Sequence, residues 1–234
     1  MNEWWNWAPQ QGTHQLGFAV VGVGRFGSAV CRELIQNGAD VLAVDRSAKS
    51  IEELRQLEPS IEARVVDCTD EESMREAGVL EMGTVVVGIS EPIEASITTT
   101  LIAKDSEGSK VQQVIARATS DLHEKMLKRV GADRVVFPSR MQGERLGLEL
   151  VRPNLMERLE LDEQTCIEEI KVPDEFVGHS LRDLNLRKNY LVNVLAAGPT
   201  KGLLVNPPAS YVLEKDHVLV VMGLTDDLQK LPKT

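Results

Sequence analysis

The chain has 234 residues, enough for one larger and one smaller domain, and 42% of them are hydrophobic, so a substantial core can form. A net charge of −10 argues against a nucleic-acid partner, because such partners require a basic face. The three cysteines, Cys31, Cys68 and Cys166, fit neither a disulfide framework nor a zinc site, so we expect a reducing cytosol. No apolar run approaches the roughly 18 residues of a spanning helix, and the N-terminus lacks signal-peptide features.

The first 15 residues contain all three tryptophans, Trp4, Trp5 and Trp7. One interpretation is a mobile tail. The other is a docking element, because exposed tryptophan favours interfaces and membrane–water boundaries. The sequence leaves both interpretations open.

A glycine-rich turn follows the first apolar strand, Phe18–Val21. The spacing Gly22-x-Gly24-x-x-Gly27 before a helical segment is typical of the phosphate-binding turn of a Rossmann unit. Gly22 allows the tight turn, Gly24 lets a pyrophosphate approach the backbone, and Gly27 lets the helix pack against the strand. The helix N-terminus then offers free N–H groups and a partial positive charge to phosphates.

Asp45 ends the second apolar run and lies 18 residues after Gly27. An acid in this register accepts hydrogen bonds from the ribose hydroxyls of a bound adenosine. The alternative is a helix-capping aspartate before Ser47. Asp45 would also repel a ribose 2′-phosphate, although Arg46 beside it could soften that repulsion, so NADP is disfavoured.

Strand and helix patterns alternate up to Pro138, which predicts an α/β fold with a Rossmann doubly wound parallel sheet over residues 16–139. The predicted strands are Phe18–Val21, Val41–Val44, Arg64–Val66, Val85–Ile89, Val114–Arg117 and Arg134–Phe137. The predicted helices are Ser28–Gln36, Ala48–Leu57, Glu71–Ala77, Pro92–Asp105 and Ser120–Val130.

Residues 140–164 are predicted to form a connecting helix, Arg140–Val151, and a linker, because Arg152-Pro153 should end the helix. Residues 165–234 are predicted to form a small α+β domain. Its predicted strands are Thr165–Val172, Tyr190–Ala197, Leu203–Val205, Tyr211–Leu213 and His217–Met222, with a helix at His179–Leu186 and a short one capped near Thr225.

The sequence offers little for catalysis. Hydride transfer needs a general acid or base, usually His, Lys or Tyr, from the domain that follows the Rossmann unit. The histidines of the second domain are His179, which we interpret as a capping or solvent-facing residue, and His217, which we interpret as a strand-edge residue. The turn also lacks the Gly-Lys-Ser/Thr of an ATP-hydrolysing P-loop. We therefore predict that the chain is not an enzyme, with an NAD(H)-dependent oxidoreductase or NAD(H) redox sensor as the alternative.

Four motifs, taken together and in this order, resemble those of a known family. They are Gly22-Val-Gly-Arg-Phe-Gly27, Ala43-Val-Asp45, Asp67-Cys-Thr69 and Gly131-Ala-Asp-Arg-Val-Val-Phe-Pro138. The chain resembles the RCK (regulator of K⁺ conductance) family, with an RCK N-terminal domain followed by an RCK C-terminal domain. Within that family it is most similar to the Ktr type of cytosolic regulatory subunit from bacterial Trk/Ktr potassium uptake systems.

This resemblance implies a gating subunit that binds ATP or ADP, with NAD(H) also possible. The implied nucleotide-binding residues are Gly22, Gly24, Arg25, Phe26, Gly27, Asp45, Arg46, Asp67, Cys68, Thr69, Ile89, Ser90 and Arg117. Asp45 would hold the ribose, residues 67–69 would flank the adenine, and Arg25 would reach the terminal phosphate of a neighbouring subunit's nucleotide. Arg25 could instead form only a surface ion pair.

The family's assembly is also implied. The resemblance implies dimers assembled into a ring, an octamer, beneath a membrane potassium-translocating subunit on the cytoplasmic face of the membrane. Relatives often carry an acid after the proline of the fourth motif that helps hold a cation at the phosphates. This chain has Ser139 there, and Glu144 is only a weak substitute, so the metal stays unassigned.

The resemblance further implies a cyclic di-AMP pocket in the second domain. Its residues would be Leu181, Arg182, Leu184, Arg187, Asn189, Tyr190, Pro207 and Pro208. The two arginines could meet phosphates and Tyr190 could pack on a base. The alternative is a solvated helix face beside a core tyrosine.

Overall fold

The computed structural model describes residues 17–233, and the interpretations of the tryptophan-rich tail lie outside these residues. The chain divides between Met141 and Gln142 into two compact units. Within the described range, no helix is both long enough and apolar enough to cross a membrane.

A six-stranded parallel sheet forms the centre of the N-terminal unit. Its strands are β1 (Phe18–Val21), β2 (Val41–Asp45), β3 (Glu62–Val65), β4 (Thr84–Val87), β5 (Gln113–Arg117) and β6 (Arg134–Val136). The spatial order β3-β2-β1-β4-β5-β6 reverses direction between β1 and β4, where Phe18 pairs with Val41 on one side and Thr84 on the other. Such a reversal opens a crevice at the carboxyl ends of the strands.

Helices connect these strands and cover both faces of the sheet. The connecting helices are α1 (Arg25–Gln36), α2 (Ala48–Leu57), α3 (Glu71–Glu76), α4 (Ile93–Asp105) and α5 (Asp121–Arg129). Helix α6 (Pro138–Val151) follows β6, and the division between the units falls within it. Side-chain oxygens of Ser47, Asp70 and Ser120 cap α2, α3 and α5 by accepting backbone N–H bonds. The predicted doubly wound fold is confirmed, although α1 begins at Arg25 rather than Ser28.

The C-terminal unit contains a five-stranded antiparallel sheet of order β10-β9-β11-β8-β7. Its strands are β7 (Leu155–Glu160), β8 (Thr165–Lys171), β9 (Asn193–Gly198), β10 (Leu204–Val205) and β11 (Val218–Leu224), with short helices α7 (Leu181–Leu184), α8 (Leu186–Asn189) and α9 (Thr225–Leu228). The prediction of a small α+β unit is confirmed.

Strand β7 corrects the sequence prediction, which placed residues 155–160 in a linker. This segment pairs antiparallel with β8, with Leu155 opposite Ile170. The segment reads Leu-Met-Glu-Arg-Leu-Glu, so its charged residues mask the alternation that would have predicted a strand. Charged side chains are common on edge strands, because they oppose pairing with other chains.

Backbone conformation changes three further predictions in this unit. The predicted helix over residues 179–186 is two short helices, since Asn185 between them has a positive φ of 42°. Leu191 has a φ of 59°, and β9 begins at Asn193 rather than at Tyr190. The predicted strand over residues 211–213 is a single bridge between Val212 and Ser180.

A buried ion pair joins two segments of the C-terminal unit. Both guanidinium Nη atoms of Arg152 contact the carboxylate of Glu168, at 2.7 and 2.8 Å, and both side chains are almost completely buried. Arg158 lies farther away, with 3.7 Å between its Nη1 and Glu168 Oε1. Because the Glu168 carboxylate is shielded from solvent, its negative charge is stabilised mainly by the bidentate contact with Arg152.

We expect Arg152→Met to lower the free energy of unfolding by about 3–5 kcal/mol, because it leaves a buried carboxylate without its main partner. The double variant Arg152→Met/Glu168→Leu should recover most of this loss. Urea unfolding of the full chain, followed by circular dichroism, measures both.

The matched control is Arg145→Met, which removes an exposed arginine paired with Glu149 and Glu157. It should cost at most about 1 kcal/mol, as exposed ion pairs do. Equal losses in Arg152→Met and Arg145→Met would contradict the role of burial.

Candidate functional site

A cleft of about 1100 Å³ lies at the carboxyl ends of the strands of the N-terminal unit. Every residue predicted for the nucleotide lines this cleft except Gly27: Gly22, Gly24, Arg25, Phe26, Asp45, Arg46, Asp67, Cys68, Thr69, Ile89, Ser90 and Arg117. The cleft therefore brings together side chains from the ends of five different strands. Whether they bind a nucleotide stays a prediction.

The glycine turn is shaped by close backbone contacts. A Cβ on Gly27 would lie 2.1 Å from the carbonyl oxygen of Gly22, so only glycine allows α1 to pack so closely on β1. A Cβ on Gly24, by contrast, would meet no atom within 4 Å. Gly24 therefore leaves open the space in which a ligand phosphate could approach the backbone.

The N-terminus of α1 faces this space without a side-chain cap. The first intrahelical bond runs from the Ser28 N–H to the Gly24 oxygen at 2.9 Å, and the Ser28 hydroxyl donates to the Val23 carbonyl at 2.6 Å. The N–H groups ahead of Ser28 thus have no acceptor within the helix. A helix end of this kind favours an anion.

Asp45 is oriented by two backbone N–H groups. Val23 donates to its Oδ2 and Ser47 to its Oδ1, each at 2.8 Å. Ser47, rather than Asp45, is the N-cap of α2, so the capping interpretation of Asp45 is wrong. Each carboxylate oxygen keeps a further lone pair with which ribose hydroxyls could bond.

The loop after β3 presents three predicted residues to the cleft. Asp67 accepts hydrogen bonds from the hydroxyl and the backbone N–H of Thr69, which lower the pKa of its carboxyl. Burial raises the pKa of the Cys68 thiol to about 12, so this side chain is neutral at pH 7. The Thr99 hydroxyl on α4 donates to the Cys68 carbonyl at 2.8 Å and ties the loop to the core.

The opposite wall contains a residue that the sequence reasoning missed. Gly88 follows β4 directly, its N–H donates to the Val21 carbonyl at 2.7 Å, and a Cβ there would lie 2.7 Å from the Gly22 oxygen. The strand predicted over residues 85–89 ran through this glycine, whereas β4 ends at Val87, so a glycine within an apolar run was the available signal. The other lining residues that were not predicted for the nucleotide are Val65, Val66, Glu91, Pro92 and Ala95, together with Pro138 and Ser139, which the sequence analysis had considered only in the fourth motif and for a cation.

Three arginines line the cleft without a carboxylate partner. Among residues 17–233, the structure gives no ion pair to Arg25, Arg46 or Arg117, so the surface ion-pair interpretation of Arg25 is not what the described residues show. Arg25 and Arg46 are exposed, whereas Arg117 is half-buried. Unpaired guanidinium groups around an open helix N-terminus suit a phosphate-bearing ligand.

The residues considered for a cation differ in whether they line the cleft. Ser139 and Pro138 line the cleft, whereas Glu144 is exposed on α6 and is not part of the lining. Within the part of the chain that the structure describes, no group of three or more His, Cys, Asp and Glu side chains could hold a metal ion.

The residues predicted for cyclic di-AMP lie in the C-terminal unit. Leu181, Leu184 and Tyr190 pack against its core, and the Tyr190 ring meets Phe176 edge-on with 5.9 Å between centroids. Arg182 and Arg187 are exposed.

The remaining members of this set bond to the backbone or lie in a turn. Asn189 donates to the Leu184 carbonyl at 2.8 Å, the Pro208 carbonyl accepts the Tyr211 N–H, and Pro207 precedes Pro208. The packing of Tyr190 against the core matches the alternative interpretation of a core tyrosine beside a solvated helix face. A phosphate-binding role for Arg182 and Arg187 stays a prediction.

Comparison with known proteins identifies two families along the chain. The TrkA-N domain matches residues 18–138 and the TrkA-C domain matches residues 167–233. The chain is 34% identical over 216 residues to the Ktr system potassium uptake protein C of Bacillus subtilis (strain 168), covering 92% of this chain and 96% of that relative. It is 33% identical over 211 residues to the Ktr system potassium uptake protein A of Vibrio alginolyticus, covering 90% and 94%.

A solved structure supports the fold. The GsuK RCK domain matches with a TM-score of 0.50 at 20% identity, covering 91% of this chain and 44% of that one. The chain thus spans less than half of that protein, and the likeness concerns the fold alone.

The glycine contacts predict a contrast between two substitutions. Gly27→Ala should destabilise the N-terminal unit by about 1–3 kcal/mol or more, since the new methyl group would overlap the Gly22 carbonyl. Gly24→Ala should change stability by less than about 1 kcal/mol but weaken nucleotide binding. Thermal unfolding and calorimetric titration measure the two effects, and equal stability losses would contradict this account.

Proposed function

Because this chain belongs to the family of proteins that combine a TrkA-N with a TrkA-C domain, we propose that it is the nucleotide-binding regulatory subunit of a potassium uptake transporter. The relatives that support this are named as Ktr system potassium uptake proteins and match almost along their whole length. The proposed partner is a membrane potassium-translocating subunit. The chain would act on its cytoplasmic face as dimers assembled into a ring, an octamer.

The cleft of the N-terminal unit is the observation on which the ligand proposal rests. It combines an uncapped helix N-terminus, three arginines that form no ion pair among residues 17–233, and the carboxylate of Asp45, which we expect to bond a ribose. This arrangement suits an adenosine with several phosphates, so the proposed ligands are ATP and ADP.

ATP and ADP differ only in the γ-phosphate, so a switch needs a group that senses that phosphate. A ligand shifts a conformational equilibrium only through different affinities for the two states. Arg25 is exposed at the mouth of the turn and could reach the nucleotide of a neighbouring subunit. Two or three charge-assisted bonds of about 1.5–3 kcal/mol could approach the roughly 5.5 kcal/mol that moves a population from 1:99 to 99:1.

The alternative ligand is NAD(H), since Asp45 could bond either ribose. Of the described residues around the cleft, none is His, Lys or Tyr, the groups that usually serve as acid or base in hydride transfer. Cys68 is a neutral thiol and so is no nucleophile there. The titration described next includes NADH, and exclusive binding of NADH would indicate a redox-sensing role.

Calorimetric titration with ATP, ADP and NADH, together with the native mass of the protein, tests the proposal. We expect ATP and ADP to bind to a ring-sized oligomer. Exclusive binding of NADH by a dimer would favour the redox-sensor alternative. Cyclic di-AMP belongs in the same series, and no heat with no change in melting temperature would remove the proposed second-messenger site.

Substituting Arg25 tests the switch. Arg25→Ala should bind ADP within about threefold of the wild type but bind ATP at least about tenfold more weakly, a loss of roughly 1.4 kcal/mol or more. Transport by the reconstituted complex should lose its activation by ATP. Arg129→Ala is the matched control, because Arg129 is exposed at the end of α5 and does not line the cleft. Full activation of Arg25→Ala by ATP would show that this arginine is not the sensor.

A further inference from the structure

Phe26 lies at the reversal of the strand order. It belongs to the first turn of α1 and packs, half-buried, against the core cluster that contains Val20 and Val86. Its ring edge would be 3.5 Å from a Cβ on Gly88. The ring therefore reaches from the glycine turn across the end of β4.

Strand register brings Arg117 to the same side of the sheet. Ile115 of β5 packs against the cluster that includes Phe26, while Val114 and Ala116 belong to the cluster on the opposite face. Side chains two residues apart on a strand share a face, so Arg117 follows Ile115 toward Phe26. Its Cζ lies over the Phe26 ring, 5.6 Å from the centroid.

The Arg117 side chain has no other partner in the part of the chain that the structure describes. It makes no ion pair there, and its Nε is buried without a hydrogen-bond acceptor. A partly desolvated cation with an unsatisfied donor is costly unless an anion meets it. The aromatic face offers the attraction of a cation–π contact but no hydrogen bond.

We propose that Phe26 is a positioning residue that holds the Arg117 guanidinium over the half of the cleft at the ends of β4 and β5. We propose further that this pair selects nucleoside polyphosphates over dinucleotides. The inference rests on the proposed function, because it concerns the same cleft, and it assigns a residue that controls ligand class. Arg117 becomes the phosphate contact supplied by the same chain, distinct from Arg25.

The geometry of the fold explains the selection. A dinucleotide in a doubly wound sheet crosses the reversal point and places its second nucleoside over the strands beyond it. Here the ring of Phe26 and the guanidinium of Arg117 occupy the ends of β4 and β5. A terminal phosphate complements this cation, whereas a nicotinamide ring carries either no charge or, when oxidised, a positive charge.

The geometry of α1 directs Arg25 away from the pair formed by Phe26 and Arg117. Neighbouring residues on a helix point about 100° apart, so Arg25 and Phe26 face different directions from the same turn. Arg25 is exposed, while Phe26 turns toward β4 and β5. One turn thus serves two purposes, with Arg25 available to a neighbouring subunit and Phe26 directed at its own chain.

The test is a double-mutant cycle measured by calorimetric titration of the full-length protein with ATP, ADP and NADH. Phe26→Leu keeps an apolar side chain but removes the aromatic face. It should weaken ATP binding about three- to thirtyfold, the range expected for a cation–π contact, and leave NADH binding unchanged or stronger. Phe26→Tyr, which retains the ring, should behave like the wild type.

The second arm of the cycle uses Arg117→Gln. In that background Phe26→Leu should have no further effect beyond about twofold, because the ring would act only through the arginine. Arg129→Gln removes the same charge outside the cleft and should leave the ratio of ATP to NADH affinity unchanged. Melting temperatures of the unliganded variants verify that each one is folded.

The outcomes separate this inference from the proposed function. Equal weakening of ATP and NADH by Phe26→Leu, or an undiminished effect of Phe26→Leu in the Arg117→Gln background, would overturn the inference while leaving nucleotide binding in place. Tighter binding of NADH than of ATP by the wild type would overturn the proposed selection of polyphosphates over dinucleotides, but not the positioning of Arg117 by Phe26. A wild type that binds none of the three ligands would refute the proposed function and the inference with it.

Discussion

The close approach of three backbone segments at the strand reversal is the constraint on which the rest of the N-terminal unit depends. Cβ atoms on Gly27 and Gly88 would lie 2.1 and 2.7 Å from the carbonyl oxygen of Gly22. Because no side chains intervene, α1 starts directly above the end of β1, and β4 lies against the same turn. The free N–H groups of the helix therefore open into the cleft rather than into a packed interface.

A second feature of the cleft is that, among residues 17–233, no arginine of its lining forms an ion pair with an acid. Asp45 is held by the N–H groups of Val23 and Ser47, and Asp67 by Thr69. Since backbone and hydroxyl donors satisfy the carboxylates, the arginines keep their hydrogen-bonding capacity for a ligand. A chain with a net charge of −10 can thus present a local site for phosphates.

The two units differ in how far the sequence predicted them. In the N-terminal unit, mostly buried parallel strands form apolar runs that alternate with helices, so the element order and the sheet were predictable. In the C-terminal unit, β7 is masked by Glu157 and Arg158, and α7 and α8 are divided by the left-handed conformation of Asn185. Short elements offer little periodicity, and their boundaries depend on which residues lie opposite them in the sheet.

The sequence by itself determined the glycine turn, the acid at Asp45 and the family motifs, because these are local spacings that one strand–turn–helix unit imposes. Tertiary structure alone decided that Phe26 lies beneath Arg117, that Gly88 closes the turn, and that Arg152 meets Glu168 inside the second unit. These pairs join residues far apart in the chain. Their contacts follow from strand order and register, which local residue patterns do not encode.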